Sequence, residues 1–377
     1  MLVTGGAGFV GSHTCKALWR AGYLPITYDN LSRGHAHAVR WGPLVKGEVG
    51  DRAALVRAIE DFEIGAVIHF AGYAYVAESM ARPDLYFRNN FIDPLSLLDA
   101  MAETGVRDII FSSTCATYGI PLALPIREDH PQAPISPYGE SKRMFEQAVR
   151  WYGEPRGLRW ASLRYFNAAG ADPDGELAEN HEPETHLIPL AIRAALRRDR
   201  ALTVFGTDYP TPDGTAVRDF VHVCDLADAH VRALGYLAGG GDSAAFNLGT
   251  GHGHSVREII AAVERVTGRT VPVVDAERRP GDPPVLVADA SRIRAACGWE
   301  PTRSSLDFII ETALTGLEVP AHAAHRHVEP AHLAPVPVEA MAPLIAAAPA
   351  SPPILAASQA VALDAQGPVA SGLARLE

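Results

Sequence analysis

The chain has 377 residues, 47% apolar and only 20% charged, which is enough for a substantial core and more than one ordinary domain. A formal charge of −11 argues against nucleic acid as the main partner, because neutralising phosphates takes a basic surface. No charged, then apolar, then small-residue leader opens the sequence, and no run of about 18 apolar residues crosses it, so no membrane partner is expected and the cytoplasm is. Cys15, Cys115, Cys224 and Cys297 stand singly without metal-ligand spacing, as reduced structural thiols do.

Met1 to Thr4 reads as a strand, followed by Gly5-Gly6-Ala7-Gly8-Phe9-Val10-Gly11 and a helical run from Ser12 to Ala21 that Gly22 ends. Glycines at 5, 8 and 11 let the backbone turn tightly and approach a pyrophosphate at a helix N-terminus. The next apolar run, Pro25 to Tyr28, ends in Asp29, an acid placed to bond the ribose hydroxyls of NAD and repel the extra phosphate of NADP. Four residues of first strand span only about 13 Å, short for a central strand. A start upstream of Met1, or a weakened cofactor lobe, would account for that, and the mass of the native protein tells them apart.

Up to about Phe166, runs rich in Val, Ile and Phe alternate with helical patterns. This predicts an α/β fold, a Rossmann-like doubly wound parallel sheet over 1–166. One helix begins at Asp51 with Leu55, Ile59 and Phe62 turned inward; another begins at Asp93-Pro94 with Leu97, Leu98 and Met101 on one face. Ala66 to Phe70 and Asp108 to Ser112 read as strands, and Thr114 lies just past the second, where reactive groups gather in such sheets.

Tyr138 and Lys142 are four apart and share a helix face. Such a pair is ordinarily just solvated surface. Beside a dinucleotide cleft, an ammonium and a cationic nicotinamide ring are partners able to turn the phenol into a base near neutral pH, a shift of about 3 units or roughly 4 kcal/mol.

After Asn167 the sequence becomes richer in Pro, Asp and Gly, which suits a smaller C-terminal substrate-binding lobe over 167–320. His181-Glu-Pro-Glu-Thr-His186 invites a metal reading, but the histidines are one residue too far apart for i,i+4 ligation and Pro183 breaks the helix that pattern needs, so no metal is expected. Residues 321–377 are dominated by Ala and Pro with few charges, and are expected to be disordered. His322, His325, His327 and His332 within them have neither a partner acid nor fixed geometry.

Thr4-Gly-Gly-Ala-Gly-Phe-Val-Gly11, Thr114 and Tyr138-x-x-x-Lys142 together resemble the extended short-chain dehydrogenase/reductases, the group of nucleotide-sugar epimerases and dehydratases. Tyr28-Asp-Asn-Leu-Ser32, His69-Phe-Ala-Gly72, Ser112-Ser-Thr-Cys-Ala-Thr-Tyr-Gly119, Ser136-Pro-Tyr-Gly139, Arg164-Tyr-Phe-Asn-Ala-Ala-Gly170, Asp213-Gly-Thr-Ala-Val-Arg-Asp219 and Arg278-Arg-Pro-Gly-Asp282 extend the likeness, towards its UDP-hexose 4-epimerases, to about residue 318. Relatives of this kind stop near 320, so the tail is a departure.

The resemblance implies NAD as cofactor and interconversion of UDP-glucose and UDP-galactose by oxidation and reduction at C4, with Tyr138 as base, Lys142 supporting it and Thr114 bridging phenol and sugar. It implies a cofactor site of Gly5, Gly8, Phe9, Val10, Gly11, Asp29, Asn30, Glu48, Val49, Phe70, Ala71, Gly72, Asn90, Tyr138, Lys142 and Phe166. For the UDP-sugar it implies Arg218 and Arg279 at the diphosphate, with Asn167, His186, Leu187, Phe205, Asp282 and Leu286 around nucleotide and sugar. Arg218 to Leu237 should rejoin the first lobe. A homodimer is implied, and the face around Leu97 to Met101 either serves it or is buried core. Glu48 replaces the usual Asp near adenine, and Ala74 stands where a lysine often helps hold NAD. Cys115 and Ala116 replace the Asp-Glu pair of dehydratases, which favours epimerisation. The alternatives are a related UDP-pentose or UDP-N-acetylhexosamine epimerase and a non-catalytic NAD-binding sensor.

Overall fold

The structure, a computed structural model, describes residues 1–197 and 200–317. The Ala/Pro-rich segment 321–377, with its expected disorder and its histidines, lies outside the described residues.

In chain order the first elements are β1 (Leu2–Thr4), α1 (Phe9–Arg20), β2 (Ile26–Asp29), β3 (Leu44–Lys46), α2 (Arg52–Asp61), β4 (Ala66–His69), α3 (Val76–Ala81), α4 (Pro83–Phe87), α5 (Asp93–Thr104), β5 (Asp108–Thr114), α6 (Pro137–Arg156) and β6 (Arg159–Tyr165). Then come β7 (Asn167–Ala169), α7 (Leu187–Arg197), β8 (Leu202–Phe205), β9 (Val217–Arg218), β10 (Phe220–His222), α8 (Val223–Ala238) and β11 (Ala244–Leu248). The last are β12 (His254–Ser255), α9 (Val256–Thr267), β13 (Val273–Ala276), β14 (Val285–Leu286), α10 (Ser291–Cys297) and α11 (Leu306–Gly316).

Seven parallel strands form one sheet in the order β11-β6-β5-β4-β1-β2-β3. Neighbouring residues of its central strands feed opposite cores. Leu2, Val67 and Ile109 pack with α2, α5 and α6 on one face, whereas Val3, Ile68 and Ile110 pack with α1 and α8 on the other. That is why these strands read as continuous apolar runs. The edge strand β11 comes from the stretch that sequence assigned to the substrate lobe, and α8 packs on α1 and against β5 and β6. A third core joins Ile188 and Ile192 of α7 to Ile259 and Val263 of α9 and Ile309 and Ile310 of α11.

Side-chain caps open several helices. Asp51 accepts from the Ala54 N–H at 3.0 Å to open α2, and Ser136 accepts from the Gly139 N–H at 3.2 Å to open α6, with Pro137 at its first turn. Ser255 and Glu258 cap α9 reciprocally.

One local expectation is revised. Phe62 is exposed, because α2 stops at Asp61 and Ile64 folds back in its place, its N–H bonding the Ile59 carbonyl at 2.9 Å. Asp93-Pro94 begins α5 as the sequence implies, with the proline in its first turn. A π-helical turn at Arg88–Ile92 leads into α5, and this wider turn accommodates a proline that has no N–H for the α-helical ladder. Of the two alternatives left open for Leu97, Leu98 and Met101, the second holds: they are fully buried against α2 within the chain, so that face is core.

Candidate active site

A cavity of about 2240 Å³ runs along the carboxyl ends of the strands, beside the point between β1 and β4 where strand order reverses. Its floor is the turn from β1 to α1. Gly5 has φ +72°, and a Cβ there would lie 2.5 Å from the Ala71 nitrogen; a Cβ at Gly11 would lie 2.2 Å from the Gly5 carbonyl oxygen. Only glycine permits this approach. No side chain caps α1 at Gly8, so its first N–H groups are left for an anion.

Beyond the turn, Asp29 accepts from the Ala7 N–H at 3.0 Å and the Leu31 N–H at 2.8 Å, which fixes its carboxylate at the cavity edge, and burial pushes its pKa up. Asn30 donates to Glu48 at 2.9 Å, and Glu48 and Val49 line the same end. A glycine cradle, an uncapped helix start and an acid at the second strand fit the pyrophosphate and adenosine ribose of NAD. Phe70, Ala71, Gly72 and Phe166 continue this wall.

Asn90 is the exception. It does not line the cavity; its amide accepts from the Tyr73 N–H at 2.8 Å and donates to the Tyr73 carbonyl at 2.9 Å and Ser141 at 3.2 Å. It pins the loop after β4 to α6 from behind.

At the reacting end, β5 delivers Thr114 and the first turns of α6 deliver Tyr138 and Lys142 to one wall. Thr114 is hydrogen-bonded to the Tyr138 phenol. The Lys142 ammonium donates to the Ser112 carbonyl at 3.0 Å and lies 4.9 Å from the centre of the Phe111 ring. Burial pushes Tyr138 up to about 12, with the Thr114 hydrogen bond working against it. Burial also lowers Lys142 to about 8, opposed by the charge of Glu146. The protein's own groups therefore reverse the expected lowering of the phenol, because desolvation outweighs them.

Opposite, Arg218 is paired with Asp282, and the Arg279 guanidinium lies 3.9 Å from the centre of the Phe205 ring. Asn167, Leu187 and Leu286 line the cavity near them, and His186 does so with Nδ1 at 2.8 Å from Glu179 and 3.0 Å from Glu184.

Two groups escaped the sequence reading. Arg33 lies 4.8 and 5.1 Å from the ring centres of Tyr73 and Tyr75 and bonds Glu78 at 2.7 Å, which puts a cation beside Ala74; the aromatics flanking Ala74 were its available signal. Glu146, one turn beyond Lys142, is buried between Ser113, Gln132 and Arg164. Its i,i+4 spacing from Lys142 was legible.

A dinucleotide cradle facing a Tyr-x-x-x-Lys helix, with arginines on the far side, defines an enzyme of the short-chain dehydrogenase/reductase class. The chain belongs to the NAD dependent epimerase/dehydratase family, whose model matches residues 1–249. The UDP-glucose 4-epimerase of Rhizobium meliloti (strain 1021) is 53% identical over 301 residues, covering 80% of this chain and 92% of that protein. The crystal structure of UDP-glucose 4-epimerase from Brucella ovis in complex with NAD is similar with a TM-score of 0.81 and 53% identity, over 84% of this chain and 98% of that one. That of the Bifidobacterium longum UDP-glucose 4-epimerase in complex with NAD+ and UDP gives a TM-score of 0.80 at 37% identity, over 84% and 97%.

Proposed function

We propose that the chain interconverts UDP-glucose and UDP-galactose by reversible, NAD-dependent oxidation at C4. The observation that carries this is the joining of the Tyr138–Thr114 pair, the glycine cradle and the Arg218–Arg279 face in one cavity. A hexose attached to a nucleoside diphosphate fits between them.

Held by the glycine turn and Asp29, NAD would supply a reversible hydride acceptor for C4. Tyr138 takes the proton of the 4-hydroxyl and later returns it, and Thr114 holds phenol and hydroxyl in line. Because burial keeps the phenol protonated at neutral pH, its ionisation depends on added positive charge, which the oxidised nicotinamide would supply, with Lys142 supporting the phenolate once formed. Arg218 and Arg279 grip the diphosphate as two-pronged donors. Since only that flexible diphosphate tethers the sugar, the 4-keto ring can turn over and be reduced on its other face. Asn167, His186, Leu187, Phe205 and Asp282 border the nucleotide and sugar in this reading.

Leu286 is buried in the cavity wall, at the position that by resemblance to the family faces the sugar 2-position, and its size is intermediate. UDP-glucose and UDP-galactose should be preferred, with weak turnover of UDP-N-acetylhexosamines; equal rates on both would overturn this size argument. Cys115 and Ala116 offer no acid-base pair for dehydration.

The test is purified protein with UDP-galactose and no added NAD. Formation of UDP-glucose is expected, reporting both the reaction and retained dinucleotide. Protein that contains NAD yet forms none would favour the sensor reading.

A homodimer is part of the proposal. With Leu97 to Met101 used as core, the available apolar surface includes Trp151 on α6, 73% exposed, and Ile92 ahead of α5. Sedimentation at micromolar concentration should give twice the chain mass. Among the described residues no helix is long and apolar enough to cross a membrane, and the cytoplasm remains the proposed location.

A further inference from the structure

On a helix, His181 and His186 would be too far apart to share a metal ion. In the structure this stretch is an irregular loop leading into α7, and it reaches the same end differently. Glu179, His181, Glu184 and His186 each turn one donor atom inward, and these atoms lie within 4.8 Å of one another. Glu179 Oε1 is 3.1 Å from His181 Nδ1 and 2.8 Å from His186 Nδ1, and Glu184 Oε1 is 3.0 Å from His186 Nδ1. A tetrahedral ion with bonds of about 2.1 Å needs donors about 3.4 Å apart, so small adjustments would admit one.

Hydrogen bonding does not complete this cluster. Glu184 is 1% exposed, and its Oε1 takes the N–H groups of Thr185 and His186, both at 2.9 Å. Its Oε2 is buried without a hydrogen-bond partner, and the Arg193 guanidinium stands 3.9 Å away. Arg193 meets that oxygen at ion-pair range without a hydrogen bond, so the buried carboxylate is only partly compensated. The acidic group Asp172, Asp174 and Glu176 makes the contrast. There Lys16 Nζ already sits 2.6 to 2.7 Å from all three, and no further cation is needed.

We propose that Glu179, His181, Glu184 and His186 form a four-ligand site for a divalent transition ion of the zinc class. Two imidazoles and two carboxylates suit that chemistry, and a closed set of four protein ligands marks a structural rather than a catalytic ion. The ion fastens the loop ahead of α7, where Leu187 begins, against the cofactor side. His181 is 6.1 Å from Phe9 of α1 by ring centres, and Tyr75 is 5.9 Å from His181 and 6.0 Å from His186.

The test uses the full chain with alanine replacing His322, His325, His327 and His332, so that the tail cannot contribute. After chelator treatment, titration with Zn2+ should show one ion per chain and a raised unfolding midpoint, and Co2+ should give tetrahedral visible absorption. His181→Ala combined with His186→Ala should abolish all three readouts while the metal-free protein still unfolds cooperatively. Glu184→Gln, which keeps the side chain's size, should weaken binding at least about tenfold. Asp174→Asn should bind as the parent does. Absence of a bound ion in the parent at micromolar free Zn2+, undiminished binding in the double variant, or loss of binding in Asp174→Asn would each overturn the proposal.

Discussion

At the scale of single residues, the reaction rests on a phenol that the protein does not itself ionise. Tyr138 is pushed up to about 12 by burial, and the nearest ammonium, on Lys142, spends a hydrogen bond on the Ser112 carbonyl. Tyr138→Phe keeps the ring and loses the acid-base oxygen. It should leave NAD content unchanged and reduce kcat by about 10²- to 10⁴-fold; full activity in this variant would remove Tyr138 from its role. The sequence made the pair visible, since i,i+4 spacing dictates a shared face. It did not show the direction of the shift, because desolvation depends on segments that pack round the phenol from afar. Asn90 illustrates the same limit. A polar residue near a cleft is equally suited to bond a ligand or the backbone, and only the fold shows it spent on Tyr73.

Among the elements, the turn from β1 to α1 carries the tightest geometric demand. At Gly11 a methyl group would meet the Gly5 carbonyl at 2.2 Å, while at Gly65 a Cβ finds nothing within 4 Å. Gly11→Ala should therefore force the loop out of shape, costing about 1–3 kcal/mol and most of the NAD retained through purification. Gly65→Ala should retain NAD as the parent does. Acid release of the nucleotide and its absorbance decide between these outcomes, and equal NAD content in both variants would contradict the close-approach argument. The glycine spacing was legible because backbone proximity tolerates no other residue. Helix boundaries were less so. Pro94 reads as a first-turn residue and is one, but the π-turn ahead of it left no mark, and Phe62 loses its expected burial to Ile64 because the chain reverses after Asp61. For the histidine loop, a spacing rule written for helices does not apply, because Glu179 to His186 form an irregular loop.

Over the whole molecule, alternation of apolar runs and helical patterns made the parallel sheet legible, whereas β11's return to its edge was not, since strand pairing across about 80 residues leaves no local mark. Buried histidines set the acid limit of the fold. Burial lowers His69 to about 3, His222 to about 3 and His230 to about 4; Lys142 pushes His69 the same way, as His13 and Arg303 do His222. Unfolded, each returns to about 6.5. The unfolded state thus binds more protons below that pH, so the contribution of these three histidines is intact above about 6.5 and falls as pH drops towards the folded values. Each histidine contributes about 1.4 kcal/mol per pH unit in that window. Urea midpoints should fall steadily from about pH 6.5 to 4.5, and a flat profile there would contradict the neutral burial of these rings. The catalytic account makes one demand of the intact enzyme: the hydrogen removed from C4 must return to C4 from the other side. UDP-galactose carrying deuterium at C4, given to purified protein without added NAD, should yield UDP-glucose that keeps the deuterium at C4. UDP-glucose carrying solvent hydrogen there would contradict the account.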